Sequence, residues 1–344
     1  MTLDPREKDV LSIIVQEYID HAQPVGSRYV AKKSELNLSP ASMRNIMSDL
    51  TEKEYLTQPH TSAGRIPTDK AFRYYVDNIL RPGLLSMERR KDIDGYLSQA
   101  GWEFSDLLEQ TSKLISNQAS QLGMAVAPSI GFARWHQIEF ILLRPGLVTA
   151  ILVFQGGIVQ NNLIEVDANI TSEDLIKYSN YLNDRFQGEN LFQVKQNILR
   201  EMEEAKNQFN DLYSRAMKLV KETFVQESQR DIFLEGTVNV LDKLDKSDIS
   251  SMKELLEFME QRTNLLEILE ELTQGKGLSI AFGSEFYGPQ LGEWGLISSP
   301  YTVEGVPVGL VGTIGPINMD YSKLVPMVDY IAKMLTKIIE NRFQ

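Results

Sequence analysis

The chain has 344 residues, 42% of them hydrophobic and 24% charged, with a formal net charge of -12 and no cysteine. That length exceeds what one hydrophobic core usually organises, so two or three domains are expected. The composition excludes a disulfide framework and a thiolate zinc site; no run approaches the roughly 20 apolar residues of a membrane span, and Met1-Thr2-Leu3-Asp4-Pro5 is not a signal peptide, so a reducing cytoplasm is the expected location.

Asp4-Pro5-Arg6-Glu7 offers a cap, a first-turn proline and a capping-box acid, and Val10, Leu11, Ile14, Val15, Tyr18 and Ile19 follow at helical spacing. Gln23-Pro24-Val25-Gly26 ends this helix. Ser27 is expected to cap a second, short one running to about Lys33. Ser39-Pro40 repeats the cap-then-proline pattern and starts a third, with Met43, Ile46, Met47 and Leu50 on its buried face. Two short strands, at Tyr55–Gln58 and Arg65–Pro67, then flank the turn-rich Pro59-His60-Thr61-Ser62-Ala63-Gly64 and read as a wing. Thr68 caps a fourth helix bearing Phe72, Tyr75, Val76 and Ile79, and Arg81-Pro82-Gly83 closes the unit.

A helical region from Glu88 to Leu122 follows, with an apolar stripe of Phe104, Leu107, Leu108, Thr111, Leu114, Ile115, Ala119 and Leu122 suited to packing on a sheet. Strands are expected at Ile138–Leu143, Leu147–Phe154 and Ile158–Val166 as an antiparallel meander. The stretch from Leu191 to Leu272 is helical, polar and acidic. Strand character returns at Leu278–Phe282, Gly295–Ser299 and Val306–Ile314 before a final amphipathic helix carrying Leu324, Val328, Ile331, Leu335 and Ile338. The acidic helical stretch therefore reads as an insertion in an α/β domain. Within it Ile198, Met202, Ala205, Phe209, Leu212, Ala216 and Leu219 form a heptad seam. Either the chain's own helix at Met252–Leu272 or a second copy of the chain can fill that seam, and a dimer contact through Met202, Phe209, Leu212 and Ala216 is the expectation carried forward.

Net acidity argues against nucleic acid, yet the average hides a local excess. Between Arg28 and Tyr75 eight Lys/Arg face five acids, which leaves the remainder of the chain at -15. The first turns of the third helix present Pro40, Ala41, Ser42, Arg44, Asn45 and Ser48. Arginine pairs bidentately with guanine and asparagine with adenine, while small Ala and Ser allow close approach to the groove floor. An exposed helix face without a ligand has the same composition, and it is the wing that favours DNA. The candidate contacts are Arg28, Ser39, Ala41, Ser42, Arg44, Asn45 and Ser48, with His60, Thr61, Ser62 and Arg65 from a wing made flexible by Gly64 and able to reach phosphates or a minor groove.

Pro24-Val25-Gly26-Ser27, Arg44-Asn45-Ile46-Met47 and Pro59-His60-Thr61-Ser62-Ala63-Gly64-Arg65-Ile66-Pro67-Thr68 together resemble the bacterial heat-inducible transcription repressor family, HrcA. Gly283-Ser284-Glu285, Gly315-Pro316-Ile317-Asn318-Met319-Asp320-Tyr321 and Leu324-Val325-Pro326-Met327-Val328-Asp329-Tyr330 look like motifs of its C-terminal half, so the resemblance spans essentially the whole chain. Glu54 stands where a glycine is usual, and Ala71-Phe72 where Gly-Tyr is usual. The resemblance implies an α+β protein: an N-terminal winged helix-turn-helix (1–81), a linker helix region (82–102), and a GAF-like domain (103–186 and 275–344) interrupted by an inserted dimerisation domain (187–274). It further implies a homodimer on double-stranded DNA, at the inverted-repeat CIRCE operator of chaperone operons, with the GroEL chaperonin as a partner that keeps the repressor active.

Two rivals remain. A ligand-gated regulator would hold a small molecule in the GAF-like domain, near the Gly-rich run of Gly305, Gly309, Gly312 and Gly315. An enzyme is disfavoured: Gly275-Lys276-Gly277 lacks phosphate-loop spacing, no Ser/His/Asp set is evident, and although carboxylates such as Glu285 and Asp320 could pair, solvated or capping acids are far commoner. His21, His60 and His136 are too few and too scattered for a metal cluster, so neither metal nor cofactor is expected.

Overall fold

The structure, a computed structural model, describes residues 3–60, 63–101, 103–127, 134–154, 159–189, 194, 219, 231–241, 253, 257, 269, 272, 277–286, 294–303 and 305–343. It is a mixed helix-and-sheet (α+β) protein.

Three helices open the chain: α1 (Pro5–His21), α2 (Ser27–Lys33) and α3 (Pro40–Glu52). The capping box at α1 forms: the Asp4 carboxylate accepts from the Arg6 and Glu7 amides at 2.7 and 2.8 Å, and Glu7 accepts from the Asp4 amide at 3.0 Å. Glu7 is 4% exposed, and its second oxygen takes the Lys53 ammonium at 2.5 Å, joining the start of α1 to the end of α3. At α2 the expectation needs correction, because Gly26 is the N-cap and Ser27 is the first helical residue, with no side-chain cap. Strands β1 (Leu56–Thr57) and β2 (Ile66–Pro67) pair antiparallel, and α4 (Asp69–Asn78) starts at Thr68, which accepts from the Ala71 amide. Between α3 and β1 the chain turns through Glu54 at φ 63, in the left-handed region that glycine occupies without strain. This accounts for the glycine usual at that position in the resembling family. Glu54→Gly should therefore stabilise the fold by about 0.5–1 kcal/mol, because the Lys70 ion pair it loses is exposed and weak. Urea denaturation checks it, and a lowered midpoint would contradict it.

The expected helical region 88–122 is two helices, α5 (Met87–Ser98) and α6 (Phe104–Ala119), followed by a strand, β3 (Leu122–Val126). Leu122 thus begins a strand rather than ending the helical stripe. Strands β4 (Trp135–Arg144), β5 (Leu147–Phe154) and β6 (Val159–Glu165) form the meander, with α7 (Ser172–Phe186) on one face. After β7 (Ile232–Glu235) come β8 (Ser279–Phe282), β9 (Trp294–Val303), β10 (Val306–Pro316) and a last helix, α8 (Tyr321–Phe343). Pro326 sits in the second turn of α8, slightly deeper than a first-turn position.

The strands form two separate larger sheets. One has five strands in the order β7-β3-β10-β9-β8, every pair antiparallel; the meander is its own three-stranded sheet. The chain leaves the five-stranded sheet after Val126 and re-enters it at Ile232, next to the strand it left, so 103–186 is divided between two sheets. The heptad residues Met202, Phe209, Leu212 and Ala216 lie outside the described residues. On the meander, Ile138, Phe140, Val148, Ala150, Leu152 and Phe154 are buried with Leu175, Tyr178, Leu182 and Phe186 of α7. Its other face carries exposed Ile141, Leu143, Val159 and Leu163, with Ile141, Thr149 and Leu163 in one cross-strand row.

The five-stranded sheet is covered on one side by α6 and α8, and that core runs without a break into the N-terminal helices. On β10 a Cβ at Gly312 would stand 2.4 Å from the Ile297 carbonyl oxygen, so the strands approach too closely there for any side chain. The space beside Gly309 is filled by Tyr301, and that beside Gly315 by Gln121 and Met319. Glu285 and Asp320 do not pair with each other; Glu285 binds Arg73, and Asp320 binds Lys323 at 2.5 Å. Among the described residues no cluster of His, Cys, Asp or Glu is suited to a metal ion, and no helix is long and apolar enough to cross a membrane.

Candidate nucleic-acid interface

Helix α3 is anchored by burying Met43, Met47 and Leu50, with Ile46 half-buried. The 3.6-residue period then turns Ala41, Arg44, Asn45 and Ser48 to solvent, where all four are exposed, while Ser42 is partly covered. Ser39 is exposed but committed: its hydroxyl oxygen accepts from the Ser42 amide at 3.2 Å and lies 3.1 Å from the Ser42 hydroxyl. It caps the helix, while Arg44 and Asn45 carry no such hydrogen bond within the N-cap. Arg28 is exposed one residue into α2, and α2 packs on α3. Among the described residues neither Arg28 nor Arg44 carries an ion pair.

Seven of the eight basic residues counted along this segment divide into two groups. Lys53 is paired with Glu7, whose hydrogen bond raises the lysine pKa; Lys70 lies 3.3 Å from Glu54 and donates to the Lys53 carbonyl at 2.8 Å; Arg73 is paired with Glu285. These three serve the fold. Arg28, Lys32, Lys33 and Arg44 stay exposed, with Lys33 over the Tyr29 ring at 5.8 Å, so the usable positive charge is concentrated on α2 and α3.

The hairpin between β1 and β2 is attached to the helices rather than hanging from them. Val25 and Arg65 exchange both backbone hydrogen bonds at 2.9 Å, adding the α1–α2 turn as a third strand segment beside β2. Gly64 makes this possible, since a Cβ there would lie 2.4 Å from the Val25 carbonyl oxygen, 2.5 Å from its carbon and 2.8 Å from its nitrogen. Gly64 is thus a site of close backbone approach, which corrects its reading as a flexible hinge. Arg65 is half-buried, and its Nε donates to Thr51 Oγ1 at 3.1 Å while Thr51 donates to the Met47 carbonyl. The arginine is braced against the end of α3 through its Nε. His60 is exposed at the tip, where its carbonyl accepts from the Ala63 amide. Thr61 and Ser62 lie outside the described residues.

A family model described as the HrcA protein C-terminal domain matches residues 105–325. The chain is 40% identical to a heat-inducible transcription repressor HrcA of Nitratidesulfovibrio vulgaris (strain Miyazaki F), across 99% of this chain and 97% of the relative. It is 38% identical to a protein of the same name from Geobacter sulfurreducens, across 98% and 99%. Among solved structures, a crystal structure of a hypothetical protein aligns over 99% of this chain and 98% of its own with a TM-score of 0.59 at 22% identity, which is a likeness of fold.

Proposed function

The chain belongs to the HrcA family of heat-inducible transcription repressors, and from that premise we propose that it represses chaperone operons as a homodimer gripping the inverted-repeat CIRCE operator. The N-terminal unit acts as a winged helix-turn-helix: α3 enters the major groove, Arg44 and Asn45 read bases, Arg28 meets the backbone, and the β1–β2 hairpin is the wing that carries His60, Thr61, Ser62 and Arg65 to phosphates or the minor groove. One observation carries this reading. The only strong base-reading side chains of α3, Arg44 and Asn45, are both exposed on its first turns, next to the exposed cations of α2.

The five-stranded sheet with α6 and α8 is the GAF-like domain, and the stretch between Val126 and Ile232 belongs to the inserted dimerisation domain. The exposed apolar residues on the outer face of the meander support that role, because exposed large apolar side chains gathered on one face mark association sites. Two-fold symmetry in the protein is what an inverted repeat requires. The GroEL chaperonin is the proposed modulating partner, in keeping with the family resemblance. Footprinting the purified protein on genomic DNA, with and without chaperonin, tests the whole reading. Protection of an inverted repeat upstream of chaperone genes, strengthened by chaperonin, is expected; protection elsewhere or none would overturn it.

A further inference from the structure

Helix α4 touches two parts of the molecule at once. On one side it clasps the end of the proposed reading helix. Lys70 donates to the Lys53 carbonyl that ends α3 and lies 5.0 Å over the Tyr55 ring, Tyr74 meets that ring edge-on at 5.7 Å, and the Thr68 hydroxyl donates to the Glu54 carbonyl at 2.7 Å. On the other side α4 is fastened to the five-stranded sheet. Phe72 is fully buried against Phe282 and Tyr321, with the three ring centroids 5.9–6.3 Å apart. One residue on, the Arg73 Nε donates to Glu285 Oε1 at 2.8 Å, one terminal nitrogen bonds both Glu285 Oε2 and the Ile280 carbonyl, and the guanidinium lies 4.8 Å over the Phe282 ring.

Glu285 is itself fixed, because its Oε2 accepts from the Phe282 amide at 2.9 Å. Its burial favours the neutral acid, but the Arg73 and Phe282 hydrogen bonds outweigh this and hold the carboxyl below its ordinary range. Greasy ring contacts resist separation but tolerate rotation, whereas a forked guanidinium–carboxylate pair with a third acceptor permits one orientation. We infer that Arg73 and Glu285 are positioning residues that hold the DNA-reading unit at a fixed angle to the sheet, and so set the half-site spacing that the dimer accepts. The Gly283-Ser284-Glu285 motif thereby acquires a physical task. This inference rests on the repressor reading above only for its consequence on DNA; the clamp itself is a property of the free protein.

The test has one arm for each. Because the chain has no cysteine, exposed Gln23→Cys and Lys337→Cys can be labelled as a pair, and the distance distribution between them measured in the full chain with and without Glu285→Gln. A narrow distribution that broadens in Glu285→Gln is expected; a distribution unchanged by the substitution would overturn the clamp. In the second arm, the unlabelled protein and its Glu285→Gln variant are titrated onto a single half-site duplex and onto inverted repeats with spacers lengthened or shortened by a few base pairs. Half-site affinity should be unchanged, while the preference among spacers falls from about tenfold to under about threefold, since a loosened tether averages the second contact over many geometries. A wild-type spacer profile in Glu285→Gln, or half-site and full-site affinity lost in parallel with a lowered melting temperature, would overturn the positioning role. If the unsubstituted protein favours no inverted repeat over a scrambled duplex, the repressor reading fails while the distance measurement still decides the clamp.

Discussion

Gly64→Ala should cost on the order of 2–4 kcal/mol in the stability of the N-terminal unit and abolish measurable operator binding. The added methyl would stand within 3 Å of three backbone atoms of Val25, and backbone cannot swing aside as a side chain can. Relief requires the two Val25–Arg65 hydrogen bonds to open, which frees the hairpin from the α1–α2 turn and pulls Arg65 from its Thr51 brace. Melting followed by circular dichroism together with operator titration reads both effects. Wild-type melting and binding in Gly64→Ala would show that the hairpin does not need this attachment.

The second large effect is expected at Arg44 and Asn45. A lost bidentate base contact costs ~1–3 kcal/mol in each half-site and relaxes discrimination at one base position, so in a dimer the loss is counted twice. Neither side chain supports the fold: both are exposed on α3, whose buried face is Met43, Met47 and Leu50. Arg44→Ala and Asn45→Ala should therefore retain the wild-type melting temperature, lose affinity for the operator, and keep their weak affinity for scrambled duplex. Arg65→Ala should behave otherwise, weakening both duplexes alike and flattening the salt dependence by about one unit per contact in each subunit. Folded Arg44→Ala and Asn45→Ala proteins with full operator preference would remove α3 from the groove.

What could be read from the residues was what depends on near neighbours in sequence. Asp4 with Glu7, Ser39 with Pro40, and Thr68 ahead of α4 each announce a helix start within four residues, and all three cap as expected. The exposed face of α3 followed from the same helical period. Strand β3 escaped because Leu122-Gly123-Met124-Ala125-Val126 continues the apolar stripe of α6 and is buried throughout, so it lacks the alternation that identifies a half-exposed strand. With β3 unseen, the point where the chain leaves the five-stranded sheet could not be placed, and the separation of the meander from that sheet stayed hidden. Arg73 counted as one more basic residue of the reading unit because its carboxylate partner lies 212 positions away. Gly64 looked like a flexible tip because close approach to Val25 depends on a pairing across the unit, which no local pattern encodes. Glu54 stood out only as a departure from a usual glycine, and it is its φ of 63 that gives the departure a physical reason.

Sequence-specific DNA binding by the intact chain is most directly tested by titrating it onto a CIRCE-type inverted repeat and onto a scrambled duplex of equal length across a series of salt concentrations. The logarithm of affinity should fall linearly with the logarithm of salt for both, and the inverted repeat should be bound on the order of a thousandfold more tightly at physiological salt. Equal affinity for the two duplexes at every salt concentration would contradict the assignment of α3 and its wing as the reading unit of a repressor.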